Sequence, residues 1–341
     1  MKQIFILCFI IFLNNTQNAQ TTELITGLDC DCGLAFKGDE LYFTEYGSGK
    51  ISKINVMQID PTPITVITGL DGPLALAFNG NELYIAESSG DKISKIDITD
   101  TTPILTTVIS GLDWPVSIAI KGNELFISEF LGKISKINIS QILPTQTTLL
   151  NLGWVNKLVI NENDLYVAES YSNQISKTDI ADTTPNTESI AYINFSRGIT
   201  FDNDYLFVSH YYENIVSKIN LLNDETTTLA TGLNNPSDLE IKDNILYIVE
   251  VNKITKLDLS TLSVDHNNPR NMFKLFPNPS NDIIQVSNLT EATGYKIYNL
   301  LGEQVLNGAI SNDEFINIKN LSKGLYILNL DDGCTLKFIK N

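Results

Sequence analysis

Glutamate and lysine recur at a short, nearly fixed spacing along this chain. Glu45 stands with Lys50, Glu87 with Lys92, Glu129 with Lys133 and Glu250 with Lys253. A carboxylate facing an ammonium can move protons in general acid–base chemistry, or it can tie two strands together. Variation inside the chain separates these readings. In one further copy Glu169 stands opposite Gln174, and in another His210 replaces the acid and Ile215 the base. Charges that disappear in company behave as a cross-strand pair at the mouth of a hairpin. Each exposed pair of this kind contributes roughly 0.2–1 kcal/mol. A second lysine, at positions 53, 95, 136, 177, 218 and 256, stands in every copy and reads as scaffolding for the same reason.

The elements that position these residues are themselves repeated. The phrases LYFTEYGSGKISKI, LYIAESSGDKISKI, LFISEFLGKISKI, LYVAESYSNQISKT, LFVSHYYENIVSKI and LYIVEVNKITKL begin at leucines 41, 83, 125, 165, 206 and 246, a period of 40–42 residues. A second phrase, as in GLDGPLALAF and GLDWPVSIAI, precedes each one. The unit predicts four short strands. An apolar strand turns at a Gly/Asn/Asp pair into a second, a short loop leads to a third, and a Thr/Pro-rich connection leads to a fourth. Four strands repeated six times at this period predict an all-β fold, a six-bladed β-propeller over residues 20–260. The sixth unit lacks its own fourth strand. The stretch TTELITGL (21–28) matches TTTLATGL (226–233), so residues 21–27 are expected to complete the last blade and close the ring.

Bulk properties narrow the setting. The chain has 341 residues, 43% of them apolar, enough for a large core and a small second domain. Residues 1–19 begin with Lys2, continue through an apolar run from Ile4 to Leu13 and end at Ala19, the pattern of a secretory signal peptide. That run is too short for a permanent anchor, and Cys8 lies inside it, too near the start for a lipoprotein site. The net charge of −17 falls entirely on the part before residue 270, because residues 270–341 balance. Such acidity repels phosphate backbones and argues against nucleic acid as a partner. After signal removal Cys30, Cys32 and Cys334 remain, an odd number that excludes a fully paired internal framework.

Positions that break the repeat are the candidates for recognition. Leading into the innermost strands, units two and three are mostly apolar, whereas units four to six carry Asn156, Lys157, Arg197, Asp238 and Glu240. Loops expected on the same face add Trp114, Trp154, Tyr171, His210, Tyr211 and Tyr212. A lopsided mouth is predicted, polar and aromatic on one side, suited to a glycan, peptide or protein ligand. The alternative is structural: Arg197 or Lys157 neutralises Asp238 and Glu240 and fills the channel. His210 reads as a hairpin substitution more than a ligand. No nucleophile motif, phosphate-binding glycine loop or zinc spacing is present, and no cofactor is implied. Structural calcium on the acidic loops has no loop motif behind it.

Residues 261–272 are polar and rich in Asn and Pro, and read as a linker. Beyond them, alternation predicts six or seven short strands over residues 273–341, a small immunoglobulin-like β-sandwich.

Two resemblances add to this reading. Over residues 21–265 the repeat resembles the NHL-type and TolB-like six-bladed propellers, which include relatives of gluconolactonase. The gluconolactonase resemblance implies a divalent cation at the channel mouth. Asn156 and Asp238 match such ligands, with Asp31 or Glu240 joining, though Lys157 and Arg197 would oppose a dication. A metal-dependent lactonase or esterase is therefore the enzymatic alternative to a binding module. The phrases FPNPSNDIIQV, YNLLGEQV and NLSKGLYIL, in that order within residues 274–341, resemble the type A C-terminal sorting domain of the Bacteroidetes type IX secretion system. That resemblance implies passage through the periplasm, recognition of the tail by the secretion machinery, and release or attachment at the outer surface.

Overall fold

The computed structural model describes residues 21–29, 33–182, 184–262, 275–287, 289, 292–299, 302–311, 314–331 and 335–341. The expected signal peptide, Cys30, Asp31, Cys32, Cys334 and most of the expected linker lie outside them. The chain forms two compact units that divide between Ser260 and Thr261. No helix among the described residues is long and apolar enough to cross a membrane.

The first unit is all-β and propeller-like. Its described residues form six antiparallel sheets of four strands. The first sheet comprises Leu34–Lys37, Glu40–Glu45, Lys50–Asn55 and Ile64–Thr68. The next four follow the same consecutive order, with innermost strands Pro73–Asn79, Pro115–Lys121, Val155–Asn161 and Ser196–Asp202. The sixth takes Leu239–Lys242, Ile245–Glu250 and Lys253–Asp258 from the C-terminal side of the repeat. Its outer strand is Thr22–Thr26, paired antiparallel so that Thr22 faces Lys256 and Thr26 faces Lys253. The innermost strands neighbour one another in chain order, and the sixth returns to the first.

The repeated letters account for this packing. The leucine that opens each phrase, at 41, 83, 125, 165, 206 and 246, is wholly buried. Sheets are covered on both faces, so apolar side chains of neighbouring sheets mesh. Tyr84 of the second sheet, for example, shares a cluster with Leu125 and Ile127 of the third. Lysines at the ends of inner strands cross from sheet to sheet. Lys37 Nζ donates to Gly80 O at 2.5 Å, Lys121 Nζ to Glu162 O at 2.5 Å, and Lys242 Nζ lies 3.2 Å from Asp39 Oδ1. The last of these joins the sixth sheet to the first.

The structure revises the expectation for the glutamate–lysine pairs. The partners do face each other across a hairpin, as Glu87 and Lys92 do. The carboxylates, however, are buried rather than exposed: Glu87 is 0% accessible and Glu250 2%. Glu87 accepts from the Ser94 hydroxyl and from the Asp71 N–H at 2.8 Å, besides its ion pair with Lys92 at 3.3 Å. Asp113 N–H donates in the same way to Glu129 at 2.8 Å, and Asn234 N–H to Glu250 at 2.6 Å. Spacing alone could not show this, because the serine and the amide belong to a neighbouring strand and loop.

The second unit consists of a three-stranded and a four-stranded antiparallel sheet. Leu275–Phe276, Ile283–Val286 and Phe315–Asn317 form the smaller. Gln304–Ile310, Thr293–Tyr298, Gly324–Leu330 and Thr335–Lys340 form the larger. Ile284, Val286, Ile297, Leu328 and Phe338 are fully buried between them.

Candidate functional site at the mouth of the ring

Loops between second and third strands, and segments leading into the innermost strands, meet on one face of the first unit. They enclose a cleft of about 310 Å³ whose lining includes Trp114, Asn156, Lys157, Arg197 and Asp238. Tyr46 and Phe130 complete the aromatic part of the wall, and Leu74, Ala75 and Val116 form an apolar side.

Local backbone geometry presents these side chains. Trp114 and Phe195 precede inner strands in the left-handed region, at φ of 51° and 47°. A residue with a Cβ is held there at a cost. Each is secured by the loop of the preceding sheet: Trp114 N–H donates to Asp91 Oδ1 at 3.0 Å and Phe195 N–H to Asn173 Oδ1 at 3.0 Å. Asn235 repeats the arrangement, with φ of 49° and its N–H 2.9 Å from Asn214 Oδ1.

The aromatics form two groups. Phe130 stacks on Trp154 at 5.1 Å between centroids, and Trp154 lies 5.8 Å from Tyr171. Phe195, Tyr211 and Tyr212 form the second, with Phe195 and Tyr212 at 4.4 Å. The Arg197 guanidinium lies over the Tyr211 ring at 4.7 Å. Trp114, Trp154 and Tyr171 are 44%, 40% and 73% exposed, unusual for rings of this size on a folded surface.

The polar floor is a junction of three sheets. Asp238 is buried, and its Oδ2 accepts from Lys157 Nζ of the fourth sheet at 2.7 Å and from Leu34 N–H of the first at 3.0 Å. Its Oδ1 accepts from Leu239 N–H at 2.9 Å. Asn156 Nδ2 donates to Ser196 O at 3.1 Å, which ties the fourth sheet to the fifth. Glu240 lies further along the channel, outside the cleft lining. Burial pushes its carboxyl up to about 7, Lys157 acts in the opposite direction, and Asp238 adds to the rise.

The remaining predicted residues lie elsewhere. Trp154, Tyr171 and Tyr211 belong to the aromatic groups and not to the cleft lining. His210 is buried within the fifth sheet, with Nε2 2.6 Å from Ser217 Oγ and Nδ1 3.2 Å from Glu213. Burial holds its pKa below the usual histidine value, against the pull of Glu213. It fills the place that the repeated glutamate takes in other sheets. Of the suggested metal ligands, Asp31 lies outside the described residues. No group of three or more His, Cys, Asp or Glu side chains placed for a metal occurs among the described residues. Tyr46 and Phe130 went unnoticed in the sequence. Both directly follow the repeated glutamate, a position held by Ser88, Ser170, Tyr211 and Val251 in the other units, so its variability was the available signal.

Comparison with known proteins separates the two units. The model of the secretion system C-terminal sorting domain matches residues 274–341. Residues 274–341 are such a sorting domain. It marks the chain for export, to the cell surface or beyond it. No curated protein is significantly similar to the chain in sequence. A protein of unknown function from Bacteroides thetaiotaomicron shares the fold, with 13% identity, 70% of this chain and 72% of that one covered, and a TM-score of 0.58. An auxiliary nutrient binding protein from the same organism gives 12% identity, coverage of 68% and 69%, and a TM-score of 0.57. A streptogramin B lyase gives 17% identity, coverage of 70% and 86%, and a TM-score of 0.52. At these identities the likeness extends to the fold alone.

Proposed function

We propose that the chain is an exported extracellular binding module. A signal peptide, residues 1–19, takes it to the periplasm. A closed, six-bladed NHL/TolB-like propeller, residues 20–260, carries the ligand site. A linker, 261–272, leads to the sorting domain, 273–341, which the type IX machinery reads before release or surface attachment. The ligand is a glycan. The observation that carries this reading is the cleft of about 310 Å³ in which aromatic rings stand beside Asn156 and Arg197. Sugar rings offer the matching alternation of apolar C–H faces and hydroxyl edges, and peptide or protein ligands would use the same wall less fully.

The experiment is a glycan array probed with the purified full chain, followed by titration of any hit against Trp114→Ala and Asn156→Ala. Loss of binding at least tenfold in both, with unchanged melting, supports the reading. Silence across the array together with unfolding of both variants would leave the mouth as mere packing.

A hydrolase of the gluconolactonase kind is the second reading. It asks Asn156, Asp238 and the undescribed Asp31 to hold a divalent cation. Asp238 already receives three donors, one of them the Lys157 ammonium, and this weighs for binding over hydrolysis. Stoichiometric metal in the purified protein with turnover of a lactone or ester panel would reverse that preference.

A further inference from the structure

The channel continues beyond the mouth cleft into a second chamber of about 240 Å³. Lys157 borders both spaces and pairs with Asp238, which lines the mouth cleft, at 2.7 Å. Two residues further along each inner strand, the walls carry Ala35, Ala77, Ala119 and Val159. The polar residues at this level are Thr200 and Glu240, and Glu240 lines the chamber.

Two charged residues line this chamber, Lys157 and Glu240, and Arg197 stands with Asp238 at the mouth. Lys157 and Asp238 neutralise each other at 2.7 Å, and both act on Glu240 from the side of the mouth. Thr200 of the fifth sheet is placed to donate to Glu240. Among the described residues Glu240 has no ion-pair partner in contact. Above about pH 7 one carboxylate without a cation in contact therefore stands among apolar walls that include Phe36 and Phe78, in a chain whose net charge of −17 attracts cations. A carboxylate partly withdrawn from water without a cation in contact is unfavourable, and a cation brought to it recovers part of that cost.

We propose that this chamber is a ligand site distinct from the mouth, and that it takes a primary ammonium group on a short aliphatic chain. The ammonium meets Glu240 and Thr200, and the methylenes lie along the alanines. The proposal is independent of the glycan reading, since it uses none of the exposed aromatics.

The probe is n-hexylamine, titrated calorimetrically into the full chain at pH 8.5, with 1-hexanol and hexanoate as controls of equal length. Saturable 1:1 binding of the amine is expected, with the controls at least tenfold weaker. Binding requires the carboxylate, so affinity falls as pH drops below about 7, by about 30-fold between pH 8.5 and 5.5. Glu240→Gln, nearly isosteric, removes the preference for the amine. Ala77→Leu fills the chamber and abolishes binding, while Trp154→Ala leaves it unchanged. No saturable binding, equal binding of the three probes, or an unaltered affinity in Glu240→Gln overturns the proposal, whether or not Ala77→Leu folds.

Discussion

Replacing Glu87 by alanine tests the role of the repeated carboxylates directly. The side chain is 0% exposed and receives the Ser94 hydroxyl, the Asp71 N–H and the Lys92 ammonium. Its removal strands the buried Ser94 hydroxyl and the part-buried Asp71 N–H, each at about 1–3 kcal/mol. Lys92 keeps 27% of its side-chain surface in water and rehydrates with little penalty. The lost methylene burial adds about 1 kcal/mol. A total of about 3–7 kcal/mol results, a range that includes the cost of breaking a buried ion pair. For a unit of this size that lowers the melting midpoint by roughly 6–28 °C. The control is Lys95→Ala, whose partner Glu82 is 38% exposed, and which should cost at most about 1 kcal/mol. Glu87→Gln keeps an acceptor and should fall between the two. Scanning calorimetry of the three full-length variants supplies the measurement. If Glu87→Ala and Lys95→Ala melt together within a degree or two, the carboxylate is not a structural anchor and the scaffolding argument fails.

Deleting residues 21–28 removes the outer strand of the sixth sheet and exposes the partners of Ile25 and Leu28, each buried. A loss of about 3–6 kcal/mol is expected, and an unchanged midpoint would contradict closure by this strand. Glu240→Gln should alter the pH dependence of stability. Its carboxyl titrates at about 7 in the folded chain against an ordinary 4.5, so ionisation favours unfolding and stability declines as pH rises from 4.5 through 7. The variant should therefore be more stable than the parent at pH 8.5 and equal to it near pH 4; parallel melting curves across that range would refute the assignment. A chain ending at residue 270 lacks the sorting domain and should accumulate in the periplasm, as fractionation and surface labelling would show. Surface display of that truncation would remove the export role from the tail.

Much of the architecture was legible in the sequence because every sheet must present the same faces to its neighbours. Wholly buried positions such as Leu41, Leu83 and Leu125 recur at one period for that reason. The tail was legible through its own motifs, which the family match over residues 274–341 bears out. The candidate site was legible only as a set of irregular positions. Which of them meet depends on ring geometry: Lys157 reaches Asp238, 81 residues away, and Asp238 reaches Leu34, 204 residues away. His210 shows the opposite case, since it departs from the repeat in letter while keeping the buried, hydrogen-bonded place of the glutamate it replaces. Sequence by itself determined the strand units, their number of repetitions and the separate exported tail, all products of short-range periodicity. Only the tertiary structure decided that the carboxylates are buried, that Asp238 joins three sheets, and that Glu240 borders a chamber, because solvent access and long-range charge pairing arise once the sheets surround a common axis.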